Sequence, residues 1–152
     1  DRFMGYIKAL MEHGIPYRKD WTLADREPNG PLITDLVFPP DMPTAFVCNC
    51  DETAFRVISA LKESGYRVPE DVSVVGYDNY MVSDMCVPSI TTVEVNLEIM
   101  AQATVDIIFK KLEHPDYSEG KRIIPGKLII KNSVRRLQEH EHEKVESKTG
   151  VD

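Results

Sequence analysis

Residues 42–80 read MPTAFVCNCDETAFRVISALKESGYRVPEDVSVVGYDNY, and the fold turns on them. Two apolar runs, Thr44–Cys48 and Val72–Val75, are too short and too rich in valine for helices and predict strands. Between them Ala54, Val57, Ile58 and Leu61 recur at the spacing of one helical face, which predicts a helix over 51–64. Gly65 follows where a left-handed residue closes a helix. Strand, helix and strand in this order form a crossover unit with parallel strands, in a sheet expected to be buried on both faces. Small ligands bind such sheets beyond the carboxyl ends of the strands. Those ends here are Asn49-Cys50-Asp51 and Gly76-Tyr77-Asp78-Asn79.

Upstream, 1–13 reads as an amphipathic helix with Phe3, Ile7, Leu10 and Met11 on one face, stopped by Gly14. Trp21–Ala24 reads as a strand and 25–30 as the polar turn after it. Pro31, Pro39, Pro40 and Pro43 exclude a long helix over 31–43, leaving an irregular or short extended segment. Downstream, 80–88 is a loop or short helix, and Ile90–Val95 alternates like a strand. Asn96 is placed to cap a helix over 97–113, with Leu97, Ala101, Val105, Ile108 and Leu112 as its stripe. Ile123–Ile124 and Leu128–Ile130 read as short strands. Residues 138–152 are almost wholly polar and are expected to be a disordered tail. Their alternating Glu and His suit a metal site or, better, a solvated segment. Helices alternating with strands in this way indicate an α/β fold with right-handed crossovers.

With 152 residues and a hydrophobic fraction of 42%, the chain can build one domain around a real core. Eighteen Lys and Arg against 25 Asp and Glu give a net charge of −7, which argues against this segment gripping phosphate backbones itself. No apolar run approaches the roughly 18 residues of a membrane span. Cys48, Cys50 and Cys86 are an odd set without a disulfide framework, which fits a reducing cytoplasm. The histidines show no ligand spacing, so neither a metal nor a cofactor is expected.

A catalytic reading finds little. There is no glycine-rich phosphate loop and no nucleophile elbow. Cys50, at a strand-to-helix junction, is a candidate thiolate, but no positioned base is visible beside it. An enzyme is not expected. A binding reading needs less: short carboxylates and amides bracket hydroxyls, and arginine donates in pairs. Asp78, Asn79, Asn49 and Arg26 with Asp25 supply that chemistry at strand ends. Asp51 reads foremost as a helix cap, and Asp78 equally as a turn residue.

Residues 42–79, followed by PSITTVEVNLEIMAQATVDII over 88–108, resemble the effector-binding core of lactose-repressor-family transcription regulators. The resemblance rests on Pro43-Thr44-Ala45 before a strand, an acidic helix start, and the run from Gly65 through Val68-Pro69 and Asp71-Val72-Ser73-Val74-Val75 to Gly76-Tyr77-Asp78. The Ile90-Thr91-Thr92 crossover and the helix after it complete it. It covers about 1–136 and implies the C-terminal portion of a periplasmic-binding-protein-like sensor domain, a parallel-sheet α/β fold represented mostly by its C-terminal lobe. It also implies site residues. Arg2, with Gly5 three positions on, looks like the family's Arg-x-x-Gly, whose arginine reaches the effector. Asp78 falls on the family's ligand-binding aspartate, Arg26 lies near a ligand-facing position, and Cys50 stands where relatives usually carry asparagine. Arg2, Arg26, Cys50 and Asp78 are therefore the effector-binding candidates.

The function so implied is ligand sensing for a DNA-binding regulator. A small effector, a sugar or sugar derivative, would shift the population between lobe closures of a homodimer. DNA would be reached only through an N-terminal helix-turn-helix absent from these residues, with no membrane contact. Arg56, Ser59, Met81, Met85 and Cys86 are candidates for the dimer surface or are ordinary surface and minor core. The stripe of the 97–113 helix is expected to be covered by a neighbouring chain or by altered packing. The alternative is a sugar-binding protein of an uptake system, against which three free cysteines speak.

Overall fold

The computed structural model describes residues 2–26, 30 and 35–136. Helix α1 (Arg2–Glu12) is followed by a single 3-10 turn at Lys19–Trp21. The central unit is β1 (Ala45–Val47), α2 (Asp51–Glu63) and β2 (Ser73–Val75). Then come α3 (Met81–Met85), β3 (Thr92–Glu94), α4 (Leu97–Glu113) and β4 (Lys127–Ile129). Gly14 and Gly65 end α1 and α2 at φ of 66° and 84°, the left-handed region that glycine enters without a steric penalty.

β1 and β2 pair in parallel with Phe46 opposite Val74, as the crossover predicts. The ladder continues on the far side of β2. Gly76 N donates to Thr91 O and Asp78 N to Val93 O, both at 2.9 Å, so the chain entering β3 runs alongside the end of β2. β3 then pairs antiparallel with β4, Val93 opposite Leu128. Ser133 closes the seam: its Oγ donates to Val74 O at 2.6 Å and accepts from Thr91 N at 2.8 Å.

The core lies between α2 and this sheet. Ala54, Val57, Ile58 and Leu61 pack with Phe46, Val68, Val72, Val74, Cys86 and Ile90. One face of the sheet is covered and the other is not, so the expectation of burial on both faces fails for β1. Phe46 is buried, while Ala45 and Val47 on the opposite face are exposed. The physical reason is that α1, which shares a cavity with that face, buries none of its residues.

Two further expectations are corrected. Trp21–Ala24 is not a strand: the chain turns at Lys19–Trp21, and Trp21 Nε1 donates to Asp41 O at 2.8 Å. Ile123–Ile124 forms no strand either, because pairing with Thr92–Glu94 begins only at Lys127. Asn96 does cap α4, its Oδ1 accepting from Ile99 N at 2.9 Å. The stripe of α4 stands open, and only Ala103 of that helix is buried. Among the described residues no helix is long and apolar enough to cross a membrane. The tail expected over 138–152 lies outside the described residues.

Candidate functional site

β1 and β2 stop side by side, and their carboxyl ends deliver the site. Asp78 and Asn79, directly after Gly76-Tyr77, hold φ of 103° and 54°. Such values are uncommon outside glycine and mark a turn whose surroundings over-determine it. The surroundings are visible. Asp51, fully buried at the first turn of α2, accepts from Tyr80 N at 2.8 Å and from Thr92 Oγ1 at 2.6 Å. Asn79 N donates to Thr92 Oγ1 at 3.3 Å. Asp51 is therefore not the cap of its own helix; it is a latch between α2, the turn and β3. Gly76 leaves room for it, since a Cβ there would lie 2.1 Å from Asp51 Oδ1.

Onto this turn comes Arg2 from the start of α1. Its Nη2 donates to Asp78 Oδ1 at 2.9 Å and its Nη1 to the carbonyl of Asn49. Its guanidinium carbon sits 4.0 Å from the centre of the Tyr77 ring, a cation–π arrangement that fixes the plane of the fork. One arginine thus joins the ends of both strands. The Asp78 side chain is 14% exposed and that of Arg2 49%, so the pair faces solvent on one side with guanidinium donors to spare.

Beside it, Asp25 Oδ2 accepts from Asn49 Nδ2 at 2.9 Å and from Thr53 Oγ1 at 3.3 Å. Cys50, the N-cap of α2, makes no capping bond, and its Sγ lies 3.4 Å from Thr53 Oγ1. A cavity of about 230 Å³ opens between α1, the 21–25 segment and the uncovered face of β1. Arg2, Tyr6, Trp21, Asp25, Asn49 and Thr53 stand among apolar side chains in its wall. An apolar wall with a few convergent polar groups suits a small molecule with both hydroxyls and a hydrophobic face.

Of the four sequence candidates, Arg2 and Asp78 are brought together and Cys50 lies one residue from Asn49. Arg26 does not join them. Its side chain is 57% exposed, and its Nε stands 3.9 Å from Asp25 Oδ2, outside the cavity wall. Asn49, one of the strand-end residues with binding chemistry, takes part through both its carbonyl and its amide. Trp21, Tyr77 and Thr53 were not singled out by sequence. The one available signal was Trp21, the sole tryptophan, just before a polar turn. Cys48 is no nucleophile, because burial pushes its thiol up to about 12. Burial raises the Cys86 thiol too, and that residue sits in the core. Among the described residues no group of three or more His, Cys, Asp or Glu could hold a metal ion.

Comparison with known proteins agrees with this architecture. The model of the periplasmic binding protein-like domain matches residues 1–134. The HTH-type transcriptional repressor PurR of Glaesserella parasuis is 32% identical over 147 residues, covering 91% of this chain and 43% of that protein. A LacI-type transcription regulator from Bifidobacterium animalis superposes with a TM-score of 0.71 at 27% identity, over 89% of this chain and 50% of its own. The lac repressor dimer bound to operator and the anti-inducer ONPF superposes at 0.55 with 32% identity, over 60% of this chain and 32% of that chain. The chain thus spans less than half the length of the curated relative. Because the matched family model runs from α1 through β4, the chain belongs to the periplasmic binding protein-like domain family, in the form found in lactose-repressor-type transcription regulators.

Proposed function

We propose that this chain is the effector-sensing part of a DNA-binding transcription regulator. It takes a small hydroxyl-bearing molecule, a sugar or sugar derivative, against the carboxyl ends of β1 and β2. The observation that carries the reading is the Arg2–Asp78 pair, stacked on Tyr77 and bonded across to Asn49. Arg2 presents planar donors, Asp78 and Asp25 present acceptors, and aromatic side chains from α1 and Trp21 stand close by to take an apolar ring face. Cys50 adds a thiol beside Asn49, and Arg26 adds a charge on the solvent side of Asp25. No catalytic step is assigned to these groups. The Arg2 cation is held by a carboxylate and a carbonyl.

The relatives named as repressors support a regulator over an uptake protein, as do three unpaired cysteines, which suit the cytoplasm. The regulator acts as a homodimer, effector binding between lobes favouring one closure and so one spacing of the DNA-binding heads. Met81 and Met85, exposed on α3, are the side chains offered to the second subunit.

The test is a thermal-shift screen of sugars, nucleosides and sugar phosphates on the full-length protein, repeated with Asp78→Ala. A hit at 100 times its Kd adds roughly 2.7 kcal/mol of stability, readily seen as a rise in Tm. Asp78→Ala is expected to abolish that rise. A hit whose stabilisation survives the substitution overturns the site assignment.

A further inference from the structure

Asp78 and Asn79 are consecutive residues at positive φ, which few side chains enter and which Asp and Asn enter more readily than most. Asp51 and Thr92 hold the turn from beneath, through the backbone of Tyr80 and Asn79. A second support comes from the far end of the chain. Lys131, two residues past β4, extends a side chain that is only 12% exposed. Its Nζ donates to Asn79 Oδ1 at 3.0 Å and to Ser83 Oγ at 2.7 Å, and pairs with Asp84 Oδ1 at 2.7 Å. An ammonium has three donors, and three acceptors from the turn and α3 meet them. The amide of Asn79 is gripped at its other end as well, its Nδ2 donating to Glu94 Oε1 at 3.1 Å at the end of β3. Ser83 Oγ in turn donates to Tyr80 O at 2.7 Å.

This cluster lies outside the cavity wall, and no member of it touches Arg2. Lys131, Ser83 and Glu94 all converge on the side chain of the residue next to Asp78. A nearly buried ammonium is a poor device for stability alone, since an apolar side chain of similar volume commonly serves the core as well or better. What such a group supplies is one definite arrangement of the atoms it bonds.

We propose that Lys131 is a positioning residue for the effector site. Through the Asn79 side chain it holds the strained turn in the one orientation that points the Asp78 carboxylate at Arg2 and at the effector. The proposal rests on Asp78 being a ligand contact. It extends that reading by tying the contact to both β3 and β4, through Glu94 and Lys131, so that the turn moves only with the strands leading to and from α4.

The experiment uses the full-length protein and two readouts. The first needs no ligand: NMR of the Arg2 side-chain N–H groups, whose shifts report their bond to Asp78. Lys131→Met is expected to move or broaden those signals, and Lys131→Arg to restore them. The second is titration with ribose, with cellobiose and with the strongest hit of the screen above. Lys131→Met is expected to weaken the binding probe about tenfold, as a turn competent only a tenth of the time requires. The double variant Lys131→Met/Asn79→Ala is expected to lose no more than the worse single variant, since both act through one amide. If Lys131→Met does not fold, Asn79→Ala carries the same two readouts. Unmoved Arg2 signals and an unchanged affinity in a folded Lys131→Met protein overturn the proposal. Losses that add fully in the double variant overturn it too. Failure of every probe to bind overturns the sensing reading instead, while the ligand-free signals still decide the role of Lys131.

Discussion

Helices α2 and α4 carry the same kind of apolar stripe and end in opposite environments. α2 buries Asp51, Thr53, Ala54, Val57, Ile58 and Leu61, whereas the longer α4 buries Ala103 alone. Leu61 is 0% exposed and Leu112 is 72% exposed. The difference is topological. α2 crosses back over the two strands it connects, so its stripe meets a sheet that the same 40-residue stretch supplies. α4 leaves β3 with no sheet beneath it. Spacing at 3.6 residues tells that a helix has an apolar face; it does not tell what covers the face. The α2 side therefore stabilises the chain and aims the site, while the apolar stripe of α4 stands open.

The hardest way to break the α2 side is at Gly76. A methyl group there would press on Asp51 Oδ1 and lie 3.1 Å from Ile90 Cγ2, overpacking the site and displacing a buried carboxylate from Thr92 and Tyr80. Gly76→Ala is expected to cost about 4 kcal/mol in urea unfolding, overpacking and a lost buried hydrogen bond combined. Leu61→Ala comes next, at roughly 3 kcal/mol for a fully buried leucine. Either variant losing less than about 1 kcal/mol would mean that α2 does not anchor the core.

The same contrast explains what was legible in the sequence. The 42–80 unit was read nearly to the residue, because periodicity, glycine stops and strand composition are local signals. Asp78 and Arg2 came from the resemblance, and their union across 76 residues lies beyond any local pattern. Non-local partners account for the misses. Trp21–Ala24 has strand composition but no neighbouring strand, and Ile123–Ile124 lies outside the register of Thr92–Glu94 with Lys127–Ile129. Asp51 resembled a cap because its neighbours in sequence are helical. Its actual partner Thr92 is 41 positions away. Lys131 gave no signal at all, being one lysine after a short strand whose three acceptors lie 47 to 52 positions upstream.

Two smaller effects sharpen the comparison at the helix ends. Asn96 is the single side-chain cap of α4, and Asn96→Ala should cost about 1 kcal/mol, measured by thermal unfolding. A loss near zero would mean that α4 is held by its neighbours and not by its own start. On the α2 side, Asp71 takes a two-pronged grip from Arg67 in the loop before β2, which lowers its pKa from 3.8 to about 2. The folded value lies below the unfolded one. The pair's contribution is therefore present above about pH 4 and fades as pH falls towards 2. Both partners face solvent, so the effect is small and screened by salt. Arg67→Met should flatten that acid limb in a pH series of unfolding midpoints, and an unchanged limb would show that other carboxylates carry it.

The smallest effect is the most telling about α4. In the 152-residue chain by itself, Leu112→Ala removes a side chain already mostly in water, and the expected loss is below about 0.5 kcal/mol. Leu61 sets the scale for the alternative, because both substitutions delete the same atoms from a helix stripe. If Leu112→Ala in the full-length protein instead costs the roughly 2–5 kcal/mol of a core leucine, the stripe of α4 is buried there. The two helices would then differ only in where their cover comes from. If the cost stays small in both settings, α4 is a permanently solvated helix started by its Asn96 cap, and its apolar stripe has no structural partner.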